Sequence, residues 1–266
     1  MNKTPSPNLE PLTSDDGQAS NLSVPGFYQT SMGRMVRHLI SRKLKPAMTG
    51  ALPAHHHDID VATLGYARPY LKYFSEHYPR LINLQTTAND LLPWPSPATA
   101  PLRQAVVDGH HLPLLDASLD LIMVIHAFET ATPAQDMADE LWRVLKGQGQ
   151  LILVVPHRGS MWAGRDDNPF GLGQPYSVHQ IKRLLHQHGF DVTKTHQALA
   201  APPSISSFYP RYAPFVERLP NPLGGVLIVE AVKMIYAVRG DRVRSRQKSR
   251  LKVQGSLAGV KSPRSS

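Results

Sequence analysis

The sequence predicts an α/β protein: a Rossmann-like, doubly wound, mostly parallel seven-stranded sheet with helices on both faces. Three observations carry that expectation. Leu119 to Ile125 is an almost unbroken apolar run of strand length, and Gln150 to Val155 is a second. Between them, Pro133 to Lys146 places Met137, Leu141, Val144 and Leu145 at helical spacings of three and four. Strand, helix and strand in succession form a βαβ unit, and strands apolar on both faces belong to a parallel sheet covered by helices. Ligands on such sheets bind at the carboxyl ends of the strands. That rule places Asp108, His126 and the run Pro156, His157, Arg158 along one edge.

The elements follow in order. Residues 1–25 are rich in Pro, Ser, Asn and Asp and read as a disordered leader. A domain over 26–238 comes next, with an N-terminal helix at 27–44, a core at 58–198 and a final strand within 223–238. In the first helix Met32, Met35, Val36, Leu39, Ile40 and Leu44 form one apolar stripe, which predicts packing on the domain with the basic side chains in water. Asp58 to Leu64 reads as the first strand, followed by a turn at Gly65, Tyr66 and Ala67 and a helix over 68–78. Arg80 to Leu84 and Gln104 to Val107 supply two more strands. The Pro-rich stretch between them, 89–101, is a loop. Lys146 and Gly147 read as the stop of the long helix. Ser177 caps a helix that ends before Gly189, and 191–198 pairs with the final strand around an insertion at 200–222.

Composition bounds the rest. At 266 residues and 41% hydrophobic content, the chain is long enough for one sizeable core plus tails. There is no cysteine, which excludes disulfides, thiolate zinc sites and cysteine nucleophiles and fits a cytoplasmic location. No apolar run reaches the roughly 18–20 residues of a membrane span, and the N-terminus lacks a secretory apolar region. The triplet His55, His56, His57 has no second ligand group near it in sequence, so no metal site is expected. The formal charge is +9. Residues 239–266 hold nine Lys or Arg against one Asp, so most of that charge is assigned to a disordered basic tail. Such a tail suits nucleic acid or an anionic surface, or simply solubility.

The stretch Asp108, Leu112-Pro113, Asp116 to Asp120, His126, Glu129, Glu140 to Lys146 and Gly149 to Leu151 resembles the class I S-adenosylmethionine-dependent methyltransferases, of the small-molecule type. The resemblance covers roughly 58–190. It implies S-adenosyl-L-methionine as cofactor, bound by Asp60, Leu64, Gly65, Tyr66, Gln85, Asp108, Gly109 and His126. It also implies methyl transfer to a small-molecule substrate. Two departures stand on that side. Of the glycines usual after the first strand only Gly65 remains, with Thr63 where a second is expected and Asp60 as the acidic residue. Gln85 replaces the carboxylate that bonds the ribose hydroxyls. His126 is a candidate general base because imidazole titrates near neutrality. His157, Arg158, Trp162 and Tyr176, at or beside an aromatic loop, are candidate substrate residues. The departures motivate an alternative, an inactive relative kept as a binding or regulatory module. A dinucleotide-dependent dehydrogenase would need a Gly-rich turn and an acid on the second strand, and the chain has neither.

Overall fold

The computed structural model describes residues 23–50, 58–86, 103–165, 168–200 and 224–235. The leader up to residue 22, the histidine triplet, the 89–101 loop, the insertion from 201 to 223 and the basic tail lie outside the described residues. Two helices open the described chain, α1 (Val24–Gln29) and α2 (Ser31–Gly50). There follow β1 (Val61–Gly65), α3 (Arg68–His77), β2 (Leu81–Gln85), β3 (Gln104–Val106) and β4 (Leu119–Ile125). Then come α4 (Ala134–Val144), β5 (Leu145–Pro156), α5 (Val178–Gln187), β6 (Phe190–Ala198) and β7 (Val226–Lys233). The sheet order is β3-β2-β1-β4-β5-β7-β6. β1 to β5 pair in parallel, and β7 runs antiparallel between β5 and β6. The α/β, mostly parallel seven-stranded sheet is therefore as the sequence predicts.

Alternation along the strands sends side chains into two cores. On one face Val61, Leu121, Met123, Ile125 and Ile152 pack with α2 and α3 through Val36, Leu39, Leu44, Leu71 and Phe74. On the other Ala62, Leu64, Ile122, Val124 and Leu153 pack with α4 and α5 through Met137, Leu141, Ile181 and Leu185. Among the described residues no helix is long and apolar enough to cross a membrane.

Three expectations are corrected. The single helix over 27–44 is two helices. Thr30 is extended (φ −69°, ψ 164°) and its hydroxyl accepts from Gly33 N at 3.0 Å, which caps the start of α2. A Cβ on Gly33 would collide with Phe27 O, so glycine is what lets α1 fold back onto α2. The long helix ends at Val144 rather than Lys146. Leu145 already pairs with Leu119, and the next paired residue is Gln150. The helix-stop sequence is therefore an irregularity inside β5, with Gln148 at φ 65°. The first strand begins at Val61, because Asp60 turns to side-chain bonding at the amino edge of the sheet.

Part of the stretch that carries the resemblance serves as a fastening. Arg143 donates to both oxygens of Glu140 (2.8 and 2.6 Å) and to the carbonyls of Leu112 and Leu114, and it pairs with Asp116. Glu140 also accepts from Leu112 N at 2.6 Å. This fork ties the connection after β3 onto α4, with the bidentate geometry that guanidinium and carboxylate favour.

Candidate functional site

The carboxyl ends of β1, β2 and β4 meet at one place. β1 ends in Gly65 at φ 89°, the left-handed region that suits glycine. A Cβ there would collide with Ile125 O, so β1 and β4 approach closely where the chain turns into α3. β2 ends in Gln85, fully buried, with Oε1 lacking any hydrogen-bond partner. Beside it on the same face Thr63 donates to Asn83 Oδ1 at 2.8 Å, and Asn83 Nδ2 is likewise buried without a partner. Unpaired buried polar atoms are costly, on the order of 1–3 kcal/mol each, and ask for an explanation.

β4 ends in His126, whose backbone sits at φ 53°, an uncommon conformation for a side-chain-bearing residue. Its Nδ1 lies 3.3 Å from Glu129 Oε1, and its Nε2 lies 2.8 Å from Tyr28 Oη. Tyr28 Oη is in turn 3.0 Å from Tyr70 Oη. Because a carboxylate only accepts, His126 Nδ1 is the donor to Glu129, and for a neutral imidazole the rest of the chain then runs in one direction. Tyr70 donates to Tyr28, Tyr28 donates to His126 Nε2, and His126 Nδ1 donates to Glu129. Burial pushes the Tyr28 and Tyr70 hydroxyls well above the ordinary tyrosine range, so both remain protonated donors at neutral pH. Glu129 Oε2 is buried and has no partner. Tyr66 and Phe170 close the cluster, with ring centroids 5.7 Å from Tyr28 and 5.1 Å from His126 respectively.

The fourth strand end, at β3, is different. The Asp108 carboxylate accepts from His110 N at 2.9 Å and lies 3.0 and 3.3 Å from the Nδ1 atoms of His110 and His111. These bonds, the backbone one first, pull its pKa down to about 2 although the group is exposed. Gly109 stands where a Cβ would come within 2.5 Å of Met137 Cε, so its role is a close approach to α4.

Residues 54–153 match the model of a family described as a methyltransferase domain. This span holds β1 to β4 and most of β5, the part of the sheet whose strand ends form the site. Over this span the chain is similar to methyltransferase domains. Solved structures agree on the fold. A Mesorhizobium loti S-adenosylmethionine-dependent methyltransferase is 16% identical, with a TM-score of 0.52 over 71% of this chain and 96% of that one. A Thermotoga maritima S-adenosylmethionine-dependent methyltransferase is 15% identical, with a TM-score of 0.55 over 81% and 99%. The geranyl diphosphate C-methyltransferase of Streptomyces coelicolor, solved with S-adenosyl-L-homocysteine, is 12% identical with a TM-score of 0.52 over 73% and 78%. No curated protein matches the chain in sequence.

Within the matched span the sequence-based candidates separate. Gly65, Tyr66, Gln85 and His126 stand at the common edge, and Asp108 and Gly109 stand at the next strand end. Asp60 does not belong with them. It lies at the amino edge, where Lys146 Nζ bonds Asp60 Oδ2 at 3.2 Å and Asp120 Oδ2 at 2.7 Å, with Arg80 Nε 3.5 Å away. Period-two alternation and strand direction put the whole length of β1 between it and Gly65. Leu64 is also corrected, since its side chain is buried in the core on the α4 face. Thr63, expected in a glycine's place, is fixed by Asn83 instead.

Of the substrate candidates, His157 is buried and its Nδ1 bonds Gly224 O at 3.0 Å, anchoring the start of β7. Trp162 is buried against Gly225 and packs edge-on to Phe170. Tyr176 pairs its backbone with Pro156 and Arg158 and packs its ring on Phe128, while Arg158 alone is exposed. Tyr28 and Tyr70 are the residues that sequence reasoning missed. Tyr28 lies in α1, outside the stretch that carries the resemblance, and no spacing in the sequence relates it to His126.

Proposed function

We propose that this chain is a methyltransferase that uses S-adenosyl-L-methionine to methylate a small molecule, with the cofactor over the carboxyl ends of β1, β2 and β4. The observation that carries the reading is the coincidence of the methyltransferase-domain match with unsatisfied acceptors at that edge. Gln85 Oε1 is placed to accept from a ribose hydroxyl, and Glu129 Oε2 from an ammonium group. Gly65 leaves backbone, with no Cβ, at the turn between them. The donor and acceptor set therefore fits the cofactor in its chemistry, with a neutral amide doing a carboxylate's work at β2. The ring of Tyr28 stands across the same ground, so α1 must withdraw that ring for binding.

When bound, S-adenosyl-L-methionine supplies a methyl group already activated as a sulfonium. The protein's task is then positioning and exclusion of water. Tyr66 and Phe170 wall the edge with apolar rings. His126, once released by Tyr28, presents an imidazole nitrogen at this edge that can take a proton from an acceptor hydroxyl or amine, with Glu129 holding its tautomer. Roofing by α1 and Phe170 supports a small acceptor. The reading is tested by calorimetric titration of the full chain with S-adenosyl-L-methionine and S-adenosyl-L-homocysteine. Wild type is expected to bind, Gln85→Ala several-fold more weakly and Tyr28→Ala more tightly.

The Tyr28–His126 bond favours a second reading, a methyltransferase fold kept as a binding module. Failure of both folded wild type and Tyr28→Ala to bind at millimolar cofactor would establish that reading in place of the first.

A further inference from the structure

The outer side of α2 and α3 is strongly basic. α2 carries Arg34, Arg37, Arg42, Lys43 and Lys45 and no acidic residue. α3 adds the exposed Lys72 and the half-buried Arg68 against Glu76 alone. Sequence composition alone assigns the chain's excess positive charge to the tail. Before residue 239, however, near-neutrality conceals two opposite regions. This helix pair has seven Lys or Arg and one acid, and the remainder has thirteen against eighteen. The positive charge is therefore also on a folded surface, because helical periodicity turned the apolar stripe of α2 inward and left the cations outside.

These cations are not neutralised locally. None of the ion pairs among the described residues involves any of the five on α2, nor Lys72. Lys45 rests its ammonium over the Tyr73 ring at 4.4 Å, which holds the charge in place without cancelling it. Between the helices lies a groove of about 360 Å³ where Arg37, Lys45 and Lys72 line the wall with His38 and Tyr73, against one acidic side chain, Glu76. Arg37 and Lys45 are eight residues apart on α2, about 12 Å along the axis, room for a short run of phosphates.

We infer that this groove binds the phosphodiester backbone of single-stranded nucleic acid. Charge complementarity selects a polyanion, and the groove's shape selects a strand. A duplex is too wide to enter between two packed helices. A bilayer is disfavoured because Val36, Leu39, Ile40, Leu44 and Met48 are all buried in the core, leaving α2 no apolar face to insert. Unneutralised cations along a groove are the means by which strands are held without reading sequence. The site is separate from the carboxyl edge. Tyr70 stands between them, its ring lining the groove and its hydroxyl facing Tyr28.

The test is fluorescence anisotropy on the full chain with labelled 12-residue RNA and DNA strands across a salt series. The groove variant is Arg37→Gln/Lys45→Gln/Lys72→Gln. The three side chains are exposed and Gln keeps helix propensity, so folding is retained. A charge-matched control, Lys182→Gln/Arg183→Gln/Lys194→Gln, alters the opposite helix face and β6. Wild type and control are expected to bind alike. The groove variant should bind at least tenfold more weakly. Its log–log salt slope should be shallower by about 2, since each phosphate no longer neutralised removes about 0.7. Equal binding and slope in all three proteins would overturn the inference and assign binding to the basic tail. So would absence of binding by wild type at low salt. Capture by anionic lipid vesicles that depends on the three cations, while oligonucleotide binding does not, would transfer the groove to a membrane surface.

Discussion

Gly65 and His126 are neighbours across β1 and β4, and both hold left-handed backbone. For glycine the conformation is natural, whereas for histidine it is a strain that the surrounding bonds to Tyr28 and Glu129 sustain. Gly65→Ala would add a Cβ against Ile125 O in a backbone region that alanine avoids. It is expected to cost about 1–3 kcal/mol or more, read as a lowered midpoint in urea unfolding. Tyr28→Phe removes one hydroxyl but leaves two buried groups, Tyr70 Oη and His126 Nε2, without their partner. The expected loss is about 1–3 kcal/mol with the aromatic packing intact. Wild-type stability in Tyr28→Phe would show that the hydroxyl chain is not what keeps α1 in place.

At the level of elements, the connection from β3 to β4 depends on α4 through Glu140 and Arg143. The guanidinium of Arg143, then the amide of Leu112, holds the Glu140 carboxyl below its ordinary range despite its partial burial. A carboxyl depressed in the folded state contributes stability that is complete above its unfolded pKa, and loses it as pH falls through the folded value. Stability should therefore decline below about pH 4.5, the ordinary glutamate value, and Glu140→Gln should remove that part of the decline. At neutral pH the same variant should be less stable than wild type, because Arg143 loses its charged partner. Chemical denaturation from pH 7 to pH 3 measures both effects. An acid limb unchanged by Glu140→Gln would assign the decline to other carboxylates.

For the whole molecule, one sheet separates two cores that share no side chains. Leu44 under α2 and Leu141 under α4 are each fully buried, on opposite faces. Truncation of either to alanine is expected to cost about 2–5 kcal/mol. The double variant should lose close to the sum, since the two sites have no common neighbour. A coupling above about 1 kcal/mol in urea unfolding would mean that the sheet transmits packing from one face to the other.

Much of the fold was legible in the sequence because its signals are local. The apolar runs Leu119 to Ile125 and Gln150 to Val155 have no polar face to show water, so they had to be central parallel strands. Ser177 announced the start of α5 as its cap, and the structure completes it with a capping box to Gln180. Local signals misled where a residue's partner lay far along the chain. Asp60 reads as an acid beside a cofactor turn, yet strand direction sends it to Lys146, at the opposite edge. Lys146 and Gly147 read as a helix stop, yet pairing with β4 had already begun. The site needed the tertiary structure for the same reason. Gly65, Gln85 and His126 announce strand ends in sequence. Tyr28, placed against His126 by the fold-back of α1, is a contact across 98 residues, and no periodicity encodes it. Sequence determines what each segment can bury through its own spacing. Which buried groups then face one another, and which are left without a partner, depends on how the layers pack.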